Sequence, residues 1–428
     1  MKNFFGYTRK TYYQKGRGGM ALMIDRPRYR AAIEPYIDLP LAKVLAGIRR
    51  SGKSTILLML MDHLERRGVP RDRLVRYSFD SLAFTGMGTG AEFYRMIADR
   101  LAGVSERVYL FLDEVQEVPD WEQVVNSLMT DFDVDVYVTG SNSRLLASEI
   151  STYLTGRYVS IPVHPLSFAE FLDFKRAQGA AVGDARDELG AYLRRGGFPV
   201  VSLGDLGDQE AYRIVGDIYA SVVLRDIVQR GDIRRPELLE RIVRFAFDNA
   251  GKTFSAKSVA DYLKSQQRVL GVETVYNYLL FLEKAFLLHR CSRFDVKGKE
   301  ILKTQEKFYL ADPSLRHALL GYDPTSTAAL LENVVYLELR RRGFDVHVGK
   351  LGSREIDFVA QRRGERLYIQ VAREIGDEAT ELREYGNLLA VRDGYPKYVL
   401  RTDAFAEGSY EGVHTMHVAD FLLSEAWG

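Results

Sequence analysis

Residues 47–55 read Gly47-Ile48-Arg49-Arg50-Ser51-Gly52-Lys53-Ser54-Thr55. Glycines at the two ends of such a turn let backbone N–H groups close around phosphate, and a helix starting just after it adds partial positive charge. On this spacing Lys53 reaches the β- and γ-phosphates of ATP and Ser54 ligates Mg²⁺. Gly47, Arg50, Ser51, Gly52, Lys53, Ser54 and Thr55 are therefore the candidates for holding the nucleotide. A second apolar run, Val108-Tyr109-Leu110-Phe111-Leu112, delivers Asp113 to the same metal. Glu114 follows it, placed to orient and deprotonate a water. A third, Val136-Tyr137-Val138-Thr139-Gly140-Ser141-Asn142, ends in small polar groups that can sense the γ-phosphate or hold the water; Ser141 and Asn142 lead, with Thr139 behind. Arg157, at the mouth of the next strand, can stabilise charge on a transferring phosphoryl group, in cis or from a neighbouring subunit. The bland readings are a solvated strand-end carboxylate for Glu114, a polar turn for Ser141 and Asn142, and a solvent-facing strand edge for Arg157.

Elements must hold these residues together. Strands are expected at Ala42–Gly47, Leu74–Phe79, Val108–Leu112, Val134–Thr139 and Tyr158–Val163, with helices starting near Ser54, Ala91, Trp121 and Ser143. Buried parallel strands alternating with amphipathic helices make an α/β three-layer sandwich. After Pro165 the period is helical to about Arg230, broken at Gly196-Gly197-Phe198-Pro199, and a helical lid or linker on the first domain is expected.

Beyond it come helices over Glu237–Asn249, Lys257–Ser265 and Thr274–Leu288, then strands His289–Asp295 and Ile301–Leu310 around Lys297-Gly298-Lys299. Three helices and a β-hairpin make a winged helix. Val275, Leu279, Leu282 and Phe286 recur at helical spacing and should face its core. Thr274, Tyr276 and Asn277 are then left exposed near the helix start, where recognition helices meet base edges. Arg293, Lys297, Lys299 and Lys303 supply the hairpin with cations for phosphate. A protein-binding winged helix with a merely solvated turn is the competing reading. A small α/β unit closes the chain: helix Glu332–Arg342, strands near 345–348, 355–360 and 366–371, helix Thr380–Leu389 and strand Lys397–Leu400.

Lys+Arg (59) nearly cancels Asp+Glu (58) over 428 residues, so no global basic field advertises nucleic acid. The lone Cys291 excludes an intramolecular disulfide framework and fits a reducing cytoplasm. No apolar run approaches the ~20 residues of a membrane span, and the start lacks the apolar stretch of a signal peptide. Residues 1–22, basic and aromatic, are expected to be a flexible arm or an upstream start, with Met20 or Met23 as other starts. The remaining divisions are 23–165, 166–235, 236–325 and 326–428.

The motifs already quoted, together with Pro165-Leu-Ser-Phe-Ala-Glu-Phe, Tyr278-Leu-Leu-Phe-Leu-Glu, Leu331-Glu-Asn-Val-Val-Tyr and Glu355-Ile-Asp-Phe-Val-Ala, resemble the archaeal and bacterial AAA-type ATPases that carry a C-terminal domain of unknown function. The resemblance implies an AAA-like ATPase core, a winged helix and a restriction-endonuclease-like terminal domain. Active members of that last fold hold metal with a helix Glu, a strand Asp and a Glu-x-Lys. Here Glu332 and Asp357 match, but the third position reads Gln370-Val371-Ala372, so the nuclease site is degenerate. The reading is thus an ATPase, with ATP and Mg²⁺, whose nucleotide state repositions a DNA-binding module. Its rivals are a nucleotide-gated switch for protein partners and an ATP-dependent nuclease; a homo-oligomer fits each.

Overall fold

The computed structural model describes residues 23–425 except 85–87, 143–153, 155, 229–232, 234, 269, 376–377 and 404–406. The expected arm at 1–22 and the helix expected from Ser143 lie outside the described residues. The chain divides into two compact units, ending and starting at Val163 and His164.

In the first unit β1 (Ala42–Ala46), β2 (Leu74–Ser78), β3 (Val108–Asp113), β4 (Val134–Gly140) and β5 (Tyr158–Pro162) form one sheet in the order β2-β3-β4-β1-β5. Every neighbouring pair is parallel. Leu45, Tyr109, Phe111 and Tyr137 bury one sheet face against α1 (Pro27–Ile33) and α2 (Lys53–Arg66). The alternating residues Val44, Leu110, Val136 and Val138 are fully buried as well. A sheet buried on both faces needs helices on both, which is why these strands read as unbroken apolar runs. The helices α3 (Gly90–Leu101) and α4 (Trp121–Asp131) pack on each other.

Deep in this sheet, Lys43 of β1 is ion-paired with Asp135 of β4, and Asp135 also accepts from Tyr137 Oη at 2.8 Å and Asp38 N at 3.0 Å. Burial lowers the Lys43 pKa and raises that of Asp135, so each is pushed toward neutrality and depends on its partner.

The second unit opens with helices α5 (Phe168–Ala177), α6 (Ala185–Arg195) and α7 (Asp208–Ser221). The sequence leaves them as a lid or linker on the ATPase; instead Phe168, Phe171, Leu172, Leu189, Tyr192 and Leu193 are buried in this unit's own core beside Leu331 and Val335. Apolar stripes of that width need a partner, and the helix spanning 327–341 supplies it. The double-glycine break has a steric cause. A Cβ on Gly196 would lie 1.8 Å from Asp312 Oδ1, and Gly197 N donates to Asp312 Oδ2 at 2.6 Å. Asp312, buried, also accepts from the backbone and hydroxyl of Ser314.

Helices α8 (Pro236–Asp248), α9 (Ala256–Ser265) and α10 (Val272–Lys284) follow, with β6 (Thr253–Phe254), β7 (Leu288–Asp295) and β8 (Glu300–Leu310). Val275, Leu279 and Leu282 are buried as expected, joined by Tyr278. Phe286 is not: α10 stops at Lys284, and Phe286 sits in a left-handed turn with φ 57°. Then come α11 (Ser314–Leu320), α12 (Thr327–Arg341), β9 (Asp345–Leu351), β10 (Arg354–Arg362), β11 (Glu365–Val371), α13 (Glu378–Leu389), β12 (Lys397–Arg401), β13 (Glu407–Tyr410), β14 (Val413–His417) and α14 (Val418–Leu423).

The hairpin does not stand apart from the terminal strands. One nine-stranded sheet runs β13-β14-β12-β11-β10-β9-β7-β8-β6, because Arg293–Asp295 of β7 pair in parallel with Val348–Lys350 of β9. The expected boundary at 325/326 therefore separates residues whose strands share a sheet. The strands β13 and β14 and helix α14 were not anticipated; β14 pairs with β12, and Phe421 and Leu422 enter the core.

Candidate active site

The loop leaving β1 is shaped before any side chain acts. A Cβ on Gly47 would stand 1.9 Å from the carbonyl oxygen of Val163, so only glycine fits there. Gly52 (φ 98°) and Arg50 (φ 65°) take left-handed backbone, which folds the loop over the start of α2. Helices α3 and α5 are closed by capping boxes, Thr89 with Glu92 and Ser167 with Glu170, whereas no side chain caps α2. Its first N–H groups are thus available to an anion. Ser51 is fully buried with no partner for its hydroxyl among the described residues. Arg26, a buried residue of the segment leading into α1, donates to Ser51 O at 2.8 Å and braces the loop from behind.

Two strand tips converge on this loop. Lys53 Nζ donates to Gly47 O at 3.0 Å and Ile48 O at 3.1 Å, and lies 3.8 Å from Glu114 Oε1. Ser54 Oγ donates to Asp113 Oδ1 at 3.0 Å. Thr139 at the end of β4 ties the two acids together: its hydroxyl donates to Asp113 Oδ1 at 2.6 Å and accepts from Glu114 N at 3.0 Å. Glu114 itself has φ 55°, a left-handed turn that swings its carboxylate off the strand axis toward Lys53. Gln116 donates to Glu114 Oε2 at 2.5 Å and lies 3.4 Å from Ser141 Oγ. Ser141 and Asn142 are buried beside this group, while Arg50 and Thr55 are exposed. A glycine cradle, an orphaned buried hydroxyl, a lysine and a Ser–Asp pair fit a nucleoside triphosphate with Mg²⁺, which Ser54 and Asp113 would hold.

Arg157 falls elsewhere. Its carbonyl accepts from Ala42 N at 2.9 Å, at the start of β1, whereas the loop follows the other end of that strand. Five residues of strand separate the two by about 16 Å. Its guanidinium lies 3.3 Å from Thr130 Oγ1. Arg157 therefore does not serve this chain's own nucleotide, and the cis form of the expectation is corrected. A cation that sequence reading missed stands nearer: Arg76 of β2 pairs with Asp113 Oδ2 at 2.5 Å. A charged residue inside the apolar strand Leu74-Val75-Arg76-Tyr77 was its only signal.

In the second unit Tyr276 and Asn277 are exposed on α10, Thr274 is half-buried, and Lys297 and Lys299 are exposed at the β7–β8 turn. Arg293 is corrected: it turns inward and pairs with Glu355 Oε2 at 3.1 Å, because β7 is joined to the terminal sheet. The side chain of Lys303 lies outside the described residues. Glu332, Asp357 and Gln370 do come together, and with them two residues not foreseen, Lys307 of β8 and Glu355.

Fold and site define the class: an AAA-type P-loop ATPase. Residues 40–172 match the family model described as AAA domain, and residues 186–326 match a domain of unknown function (DUF8612). The chain is 35% identical over 403 residues to an uncharacterized protein of Haemophilus influenzae, covering 94% of this chain and 99% of that one. An uncharacterized protein of Methanocaldococcus jannaschii is 28% identical over 82% of this chain and 79% of its own length. A Walker-type ATPase of Pyrococcus abyssi is 15% identical, with a TM-score of 0.48, over 70% of this chain and 96% of that chain. The chain belongs to the family of AAA-type P-loop ATPases that carry a C-terminal domain of unknown function.

Proposed function

We propose that the chain hydrolyses ATP to ADP and phosphate and that the nucleotide it holds governs its grip on DNA. The observation that carries the first half is the grouping of Lys53, Ser54, Asp113, Thr139 and Glu114 around one glycine loop. Lys53 and the first N–H groups of α2 hold the phosphates. Glu114, kept in place by Thr139 and Gln116, accepts the proton of the attacking water. Ser141 and Asn142 position that water or read the γ-phosphate. Ser54 and Asp113 would hold Mg²⁺, which would supply positive charge to the phosphate oxygens. For Arg157 the catalytic role that remains is service to the nucleotide of a neighbouring copy, against the plain reading of a solvent-facing strand edge.

The second half rests on the exposed Tyr276, Asn277, Lys297 and Lys299, the residues that a winged-helix module would turn to DNA. With so few cations, affinity should be modest and fall steeply with salt. The test is binding to single-stranded, duplex and branched DNA at low salt, with and without a non-hydrolysable ATP analogue, alongside ATP turnover with each DNA. Binding that depends on nucleotide supports the proposal; no binding in any arm removes DNA from it. The inward pairing of Arg293 favours a second reading, a switch that grips protein partners. A Lys297/Lys299 double alanine with unchanged partner binding would select it.

A further inference from the structure

In the second unit, three carboxylates from two elements meet one ammonium. Lys307 Nζ lies 3.0 Å from Glu355 Oε1, 3.2 Å from Glu332 Oε2 and 3.7 Å from Asp357 Oδ1. Lys307 and Asp357 are buried, at 4% and 7% exposed, so the ammonium does not reach out to solvent. Other donors of the protein also reach these three carboxylates. Tyr309 Oη donates to Glu332 Oε2 at 3.2 Å, Arg293 pairs with Glu355 Oε2 at 3.1 Å, and Val371 N donates to Asp357 Oδ2 at 2.8 Å. Gln370, a neutral amide, stands beside Asp357, and its Oε1 accepts from the backbone N–H of Asp357 at 3.3 Å.

We propose that Lys307 is the resident cation of this centre, filling the place that a divalent ion would take, and that the centre is an ion-pair staple between β8 and the terminal strands. A carboxylate group of this kind needs positive charge inside it, whatever its source. An Mg²⁺ or Mn²⁺ ion requires oxygens at about 2.0–2.2 Å. These oxygens instead surround an ammonium at hydrogen-bonding distance, which a second cation would have to expel against charge repulsion. Among the described residues no three acidic or imidazole groups form a metal-ligand set. The cluster spans β8, α12 and β10, with β11 contributing Val371, so it fastens the hairpin to the sheet that β7 has already joined. The inference is independent of the ATPase reading, because its residues all lie in the second unit.

The experiment uses the full chain carrying Asp113→Asn, which silences the nucleotide-linked metal, and counts free Mn²⁺ by electron paramagnetic resonance. With Lys307 present, no Asp357-dependent Mn²⁺ binding is expected up to ~1 mM. Supercoiled plasmid incubated with Mn²⁺ should stay intact. Lys307→Met should raise Mn²⁺ affinity about tenfold or more, with the gain lost on adding Asp357→Asn. Stoichiometric Mn²⁺ in the Lys307 chain that disappears with Asp357→Asn, or plasmid cleavage that does, overturns the proposal. So does a folded Lys307→Met chain with unchanged Mn²⁺ affinity. Should that variant not fold, the Lys307 chain with and without Asp357→Asn decides alone.

Discussion

Thr139 sits between the two acids of the nucleotide site, giving one hydrogen bond and taking another. Thr139→Val keeps its volume and removes both. Turnover should fall about tenfold or more while nucleotide is still bound, because Glu114 loses its fixed angle rather than its basicity. Radioactive ATP turnover beside a fluorescent-nucleotide binding curve checks this; a proportional loss in both would place Thr139 in binding instead. Lys53→Ala should abolish binding or turnover in the same assays, since Lys53 supplies the ammonium that lies against the Gly47 and Ile48 carbonyls of that loop. At this scale the sequence was legible where chemistry fixes spacing. Gly47 to Thr55, Asp113 and Glu114 could be named from type and order alone. Gln116, Arg26 and Arg76 could not, because each acts through a three-dimensional neighbour rather than a motif: one braces Glu114, one the loop and one Asp113.

Among the elements, β1 and β4 are joined by backbone pairing and by the buried Lys43–Asp135 ion pair. Asp135→Asn strands the ammonium and should cost about 3–5 kcal/mol of the first unit's stability, a loss that the Lys43→Met/Asp135→Asn double variant should partly restore. Urea unfolding of the three proteins measures it; equal stabilities would mean that the pair is idle. In the second unit, burial raises the Asp312 pKa to about 6 from an ordinary 3.8. The folded chain thus binds that proton more tightly than the unfolded chain. Its contribution is fully present below about pH 4 and lost as pH climbs through 6, on the order of 3 kcal/mol. Asp312→Asn should flatten that part of the stability–pH curve; a slope unchanged between pH 4 and 6 would contradict it. The strands and helices were largely readable because apolar period is local. What α5 and α6 pack against was not, nor was the union of β7 with β9, because partners distant in sequence decide both. Phe286 shows the same limit: its spacing continued the helical stripe, but the helix had already ended.

At the scale of the whole molecule, the chain carries an ATPase unit and a second unit that exposes Tyr276 and Asn277 of α10 and Lys297 and Lys299 of the hairpin turn. If Arg157 serves a neighbouring copy, Arg157→Ala and Lys53→Ala chains, each inactive alone, should regain turnover when mixed, since one supplies the intact loop and the other the arginine. Light scattering on the mixture should report more than one chain per particle. Turnover that stays absent in an assembled mixture would remove Arg157 from catalysis. The most direct test of the central claim is ATP turnover with Mg²⁺ by the wild-type chain and by Glu114→Gln, together with the nucleotide each retains. Wild type should release phosphate, and the variant should still bind ATP but hydrolyse it ~10²-fold or more slowly. Equal turnover by the two proteins, or a wild-type chain that binds no nucleotide, would contradict it.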